Sequence, residues 1–308
     1  MTKSEMPTSG SSSGEPRSAE PRRAEPRIAE PSAVGSPHLE AQYNLAQHPA
    51  RAPTYARYAA ASEGIRDTLT WREVSYGEHA RERFEWYPAG QGAPVLVFIH
   101  GGYWRALDKE LFSCIARPFV ASGIAVANVE YPLAPEYTLT QITASALSAL
   151  SAVVREGERD GANVARLLVS GHSAGGHLAA IALAANWKDH GLPGWRPLAG
   201  MPISGLFELE PLRYVELNNT LSMTPEESRA LSPALQPVHF VPATVVAVGA
   251  GETHGFRQQS ERYATQLRRG GRTTRYLEIP DANHFTVLDA LAEPSGVLFA
   301  EATRLLQA

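Results

Sequence analysis

The segment Leu167-Leu168-Val169-Ser170-Gly171-His172-Ser173-Ala174-Gly175-Gly176-His177-Leu178-Ala179-Ala180 constrains this chain more than any other. It reads as a short apolar strand, a tight G-H-S-A-G turn and an Ala/Leu-rich helix. G-x-S-x-G carries chemical meaning only in that strand–turn–helix context. The turn is sharp, so its flanks must be small, and Gly171, Gly175 and Gly176 let strand and helix approach. Ser173 is therefore expected at the carboxyl end of a sheet, above the N-terminus of the following helix, as a catalytic serine. The backbone N–H of Ala174 would then face a developing oxyanion. The plainer reading is a glycine-rich strand-to-helix connection, and the flanking strand and helix argue against it.

The remainder supplies a sheet to hold such a turn. Pro94-Val95-Leu96-Val97-Phe98-Ile99 is a continuous apolar run, the mark of a strand buried on both faces. Residues 124–131, 166–170, 199–203, 243–248 and 275–280 read as further strands, and 138–155 as an amphipathic helix. Residues 72–76 and 83–87 alternate like an antiparallel pair. Strands alternating with helices predict a mostly parallel sheet covered on both faces. Helices within 39–45 and 53–66 are expected to form a small cap over it. Residues 207–237 are polar and dotted with proline, an excursion near the site with a helix start at Thr224-Pro225-Glu226-Glu227.

Ahead of the sheet, Glu15-Pro16-Arg17, Glu20-Pro21-Arg22, Glu25-Pro26-Arg27 and Glu30-Pro31-Ser32 repeat every five residues. So short and polar a unit buries no face, and its prolines forbid a helix, so residues 1–37 are expected as a disordered tail and 38–308 as the folded domain. A structural protein built around that tail is the rival it raises, and deleting it should leave turnover unchanged. The net charge of −4 gives no global attraction to nucleic acid. No stretch has the apolar length of a membrane span or the apolar core of a secretory signal. The lone Cys114, set in an apolar run, suits packing and a reducing compartment, so a cytoplasmic location is expected. The expected partner is a small-molecule substrate, with no nucleic acid and no membrane, and a homodimer is left open.

Two further stretches complete a chemical constellation. His100-Gly101-Gly102-Tyr103-Trp104 follows the central strand, where two glycines let backbone N–H groups face a ligand. Gly101 and Gly102 are expected to complete an oxyanion hole with Ala174, and Tyr103 and Trp104 to line the substrate pocket, although both could equally be core aromatics. A serine–carboxylate–histidine order places the acid after the strand 243–248 and the histidine after the last strand, which selects Glu252 and His284. Asp281 and Asp289 belong to the histidine's own loop or the next helix, and His254 shares a turn with Glu252. His100, His172 and His177 flank the two glycine motifs and are expected to orient loops or to pack. His172 and His177 lack the H-E-x-x-H spacing, no cysteine cluster exists and no Gly-Lys-Ser/Thr follows the glycines, so neither a metal nor a cofactor is expected.

From about Leu39 onward the chain resembles the arylformamidase (kynurenine formamidase) branch of the α/β-hydrolases. The matching stretches are the two motifs above, Ser204-Gly205-Leu206-Phe207-Glu208-Leu209-Glu210-Pro211-Leu212, Phe256-Arg257-Gln258-Gln259-Ser260 and Asn283-His284-Phe285. The first two motifs are shared with many esterases of the hormone-sensitive-lipase type; the Tyr-Trp ending and Leu-Glu-Pro-Leu point more narrowly to formamidases. The resemblance implies an α/β-hydrolase fold, a Ser173–Glu252–His284 triad, and an acyl-enzyme route to hydrolysis of N-formylkynurenine or a related aryl formamide. A carboxylesterase acting on small aryl or short-acyl esters is the alternative, and a binding module that has lost its chemistry is a third reading that the intact serine and histidine disfavour. The animal members place aspartate where this chain has Glu252, which leaves the geometry of the acid to be explained.

Overall fold

A computed structural model describes Met1, residues 35–237 and residues 242–307. The Glu-Pro-Arg repeats lie outside the described residues. Contacts divide the chain into a segment Met1–Ser32 and a compact unit Ala33–Ala308. Within that unit the first helix, Pro37–Tyr43, starts one residue before the expected boundary because Ser36 caps it through the Leu39 N–H.

Eight strands form one sheet in the order β1-β2-β4-β3-β5-β6-β7-β8. They are β1 (Arg72–Ser75), β2 (Arg83–Tyr87), β3 (Val95–Ile99), β4 (Ala125–Val129), β5 (Leu167–His172), β6 (Ala199–Ile203), β7 (Ala243–Gly249) and β8 (Thr274–Ile279). β1, β2 and β4 pair antiparallel, and every pairing from β4 through β3 to β8 is parallel. All five residues of β3 are buried, as its unbroken apolar run requires. Val95, Val97 and Ile99 enter one core with Leu150 and Leu178, whereas Leu96 and Phe98 enter the other with Phe119 and Leu298. Successive side chains thus serve opposite faces of the sheet. Fully burying each such side chain is worth roughly 1.5–3 kcal/mol.

The helix expected over 138–155 spans Leu139–Arg159 and is opened by a capping box between Thr138 and Gln141. Its extra turn lacks apolar spacing and is held by charge: the buried Glu156 binds Arg72 and Arg159. β5 likewise runs two residues past its expected end, because Gly171 and His172 stay paired with Pro202 and Ile203 of β6. The sheet therefore delivers the chain in regular geometry up to the residue before Ser173. The excursion 207–237 holds short helices, including Pro225–Ala230 capped by Thr224 as expected. His177, in the helix Ala174–Ala184, ties the excursion down by donating from Nε2 to the Leu231 carbonyl at 2.8 Å.

Candidate active site

Between β5 and the helix Ala174–Ala184, Ser173 takes φ 58° and ψ −117°, a conformation side chains rarely adopt. The surrounding glycines make it feasible. A Cβ on Gly175 would stand 1.9 Å from the Ile99 carbonyl oxygen, and one on Gly171 2.2 Å from that of Gly175. Strand and helix are therefore packed backbone against backbone, and the turn between them projects Ser173 towards the ends of the parallel strands.

The structure brings the three predicted polar residues into one chain of hydrogen bonds. Ser173 Oγ lies 3.0 Å from His284 Nε2, and His284 Nδ1 lies 2.7 Å from Glu252 Oε2. All three are buried, at 3, 5 and 8 % exposure for Ser173, His284 and Glu252. With Nδ1–H donated to the carboxylate, the His284 Nε2 lone pair is turned to the serine hydroxyl. The imidazole is held between Phe256, at 4.4 Å between ring centres, and His172, at 4.7 Å. Asn283 fixes the loop behind it, its Oδ1 accepting from Phe285 and Thr286 N–H.

Glu252 resolves the question raised by its extra methylene. Its side chain curls back onto its own strand end, where Oε1 accepts from Gly249 N–H at 2.8 Å and from the Ser204 hydroxyl at 2.5 Å. Oε2 is thereby left to the histidine. The acid and histidine loops also touch through backbone, since Gly251 N–H donates to Ala282 O and a Cβ on Gly249 would lie 2.5 Å from that same oxygen. Ser204, at φ 50° beyond β6, is a partner that the sequence reading missed. The rejected carboxylate Asp289 is occupied elsewhere, by Arg57 and Tyr58.

Gly101 and Gly102 come beside the serine: a Cβ on Gly101 would stand 3.1 Å from Ser173 Cβ. Gly102 has φ +110°, and a Cβ there would meet Ala106 O at 2.0 Å, so only glycine fits. Ala174 opens its helix, where N–H groups have no intrahelical acceptor. The carbonyl side of the glycine loop is fastened from below. Tyr131 Oη donates to His100 O and Gly101 O, and the buried His100 ring bridges Gly101 O at 2.6 Å and Glu130 Oε1 at 2.8 Å.

Above Ser173 lies a cavity of about 370 Å³. His172, Ser173 and His284 form its floor, and Tyr43, Tyr55, Tyr103 and Phe285 give it aromatic walls. Much of the wall comes from the helices Pro37–Tyr43 and Arg51–Ser62 and the loop between them, the expected N-terminal cap. Tyr103 faces the cavity as expected, its hydroxyl hydrogen-bonded to the Tyr43 carbonyl. Trp104 does not, which corrects the pocket role expected for it. It is fully buried, edge-on to His177 at 5.1 Å, with Nε1 sealed without an acceptor. The positive φ of both residues, 51° and 55°, turns the second aromatic into the core. Among the described residues, no group of three or more His, Cys, Asp or Glu is arranged to hold a metal, and no helix is long and apolar enough to cross a membrane.

A parallel sheet, a serine on a strained strand-to-helix turn and a hydrogen-bonded histidine and carboxylate on the next loops define a class of hydrolases. Residues 96–288 match the α/β-hydrolase fold family, and the chain belongs to it. Within that family it is arylformamidase-like. It is 28 % identical to kynurenine formamidase of Danio rerio, across 75 % of this chain and 80 % of that protein. It is 30 % identical to kynurenine formamidase of Drosophila melanogaster, across 65 % of this chain and 69 % of that one. A crystal structure from Silicibacter sp. TM1040, provisionally titled a thioesterase, superposes with TM-score 0.76 at 31 % identity, covering 86 % of this chain and 98 % of that one. The Pyrobaculum calidifontis esterase shares the fold, with TM-score 0.68 at 19 % identity over 84 % and 92 % of the two chains.

Proposed function

We propose that this hydrolase is a serine enzyme that removes the formyl group of N-formylkynurenine or a related aryl formamide through an acyl-enzyme. The carrying observation is the Ser173–His284–Glu252 hydrogen-bond chain on the floor of an aromatic-walled cavity. Ser173 Oγ attacks the formyl carbon while His284 Nε2 takes its proton. The carbonyl oxygen becomes an oxyanion facing the N–H groups of Gly101, Gly102 and Ala174. Glu252 holds the imidazole in its working tautomer and stabilises the imidazolium. The C–N bond then breaks, His284 gives its proton to the leaving arylamine, and water releases formate by the same route in reverse. The resemblance to kynurenine formamidases and the aromatic walls support an aryl leaving group.

The test is kcat/KM for N-formylkynurenine beside phenyl acetate, in wild type and Ser173→Ala. The proposal predicts a formamide preference of about tenfold or more that disappears in the variant. An ester preference with negligible deformylation would replace the formamidase by a carboxylesterase and keep the serine mechanism. Full activity in Ser173→Ala would refute that mechanism.

A further inference from the structure

His172 occupies the variable position before the serine, and the mechanism above leaves it unused. It is 4 % exposed, yet it forms part of the cavity floor. Its Nε2 lies 2.8 Å from the His284 carbonyl oxygen, an acceptor only, so Nε2 carries the proton. Nδ1 is then left with a lone pair. This is the ring's only hydrogen bond among the described residues, and Nδ1 is not among the polar atoms sealed from solvent, so the cavity reaches it. Its place is defined by the glycine loop: the position a Cβ would take on Gly101 is 3.3 Å from His172 Nδ1 and 3.1 Å from Ser173 Cβ. A fixed acceptor therefore sits beside the nucleophile and the loop that faces the oxyanion. Burial, and then the neighbouring His284, hold the His172 ring well below its ordinary pKa, which keeps that lone pair free of a proton.

We propose that His172 is a further catalytic residue whose Nδ1 accepts a hydrogen bond from the scissile amide N–H, giving the site a preference for N–H amides over esters. The inference rests on the formamidase reading and extends it. When Ser173 has added to the formyl carbon, the nitrogen becomes pyramidal. Its lone pair must face His284 to receive the proton taken from the serine. The N–H already present then points away from His284 and, with the substrate occupying the cavity floor, needs an acceptor there. His172 Nδ1 supplies one. The original hydrogen stays on nitrogen throughout, His284 adds the second as the C–N bond breaks, and His172 neither gains nor loses a proton. An ester oxygen has no hydrogen at this point and draws nothing from the arrangement.

The experiment is a substrate-by-variant cycle with formanilide, N-methylformanilide and phenyl formate, on wild type, His172→Gln and His172→Asn. The glutamine amide keeps a donor for the His284 carbonyl and removes the acceptor at the Nδ1 position; asparagine returns an acceptor near it. In His172→Gln the ratio of formanilide to phenyl formate kcat/KM should fall about tenfold to a hundredfold. The advantage of formanilide over its N-methyl form should vanish with it, and His172→Asn should recover part of the ratio. Ratios within about twofold of wild type in His172→Gln, whether both rates fall together or neither does, would overturn the role and leave the formamidase reading intact. A wild type that cleaves phenyl formate and neither anilide would overturn both.

Discussion

Among the described residues, two histidine–glutamate pairs are buried at nearly the same separation, and only one of them opens onto the cavity. His284 lies 2.7 Å from Glu252, and His100 lies 2.8 Å from Glu130. They differ in what the second ring nitrogen meets. That of His284 faces the Ser173 hydroxyl on a cavity floor. That of His100 faces the Gly101 carbonyl, and the ring is stacked on Tyr131 at 4.4 Å between centres. Both of its nitrogens are taken up by protein oxygens, so neither is turned to a serine or to the cavity. Its carboxylate is also saturated, since Glu130 further accepts from Arg81, Lys109 N–H and Tyr131 N–H. A buried His–carboxylate pair is therefore a poor marker of catalysis by itself; the partner of the remaining nitrogen decides. In the proposed mechanism one pair moves a proton; the other holds the backbone of the glycine loop.

Breaking the first pair should have the largest effect. Ser173→Ala should lower kcat/KM by at least about 10⁴-fold with Tm nearly unchanged, measured on the substrate wild type cleaves best. Glu252→Gln should lower kcat by about 10³–10⁴-fold, because the amide favours the wrong imidazole tautomer. Breaking the second pair should appear first in stability. Glu130→Gln leaves Arg81 and His100 facing a neutral group, and the loss should be about 3–5 kcal/mol in denaturant melts, with a smaller fall in kcat as the glycine loop loosens.

The acid limb of stability sharpens the contrast. Burial alone would raise the Glu130 pKa, but His100 and Arg81 outweigh it and hold the carboxyl below its ordinary value. A carboxylate depressed in the fold stabilises it above the unfolded value, and that contribution is lost as pH falls through the folded one. His177 acts at higher pH. Burial lowers it from 6.5 to about 4, so the unfolded chain binds its proton first and stability falls as pH drops from 6.5 towards 4. His177→Gln, which keeps a donor for Leu231 O, should flatten the Tm profile in that window; an unchanged slope would show that the ring is not what titrates. The smallest effect should come from Trp104→Phe, which lies outside the cavity and should shift KM by less than about twofold. A large KM change there would return Trp104 to the substrate pocket.

What could be read in advance divides along the same line. The apolar run 95–99 and the glycines around Ser173 fixed the central strands and the sharp turn, because burial on two faces and backbone contact leave few residue choices. Chain order singled out Glu252 and His284 over Asp281, Asp289 and His254, and the structure joins the former two to Ser173. Backbone rotation was hidden: nothing in the Tyr-Trp pair says that two successive positive φ values send one ring to the cavity and the other to the core. Long-range polar partners were hidden too. Ser204 meets Glu252 only because β6 and β7 end side by side. The fold-back of Glu252 onto Gly249, which lets a longer acid serve, depends on that same strand end.

The most direct test of the central claim is rapid-quench mass spectrometry of wild type, Ser173→Ala and His284→Ala mixed with phenyl acetate. The account predicts a stoichiometric burst of phenol from wild type and an acetyl group on the peptide containing Ser173, with no such adduct in Ser173→Ala and a much slower one in His284→Ala. An acetyl group on another residue, or the same burst from Ser173→Ala, would contradict it.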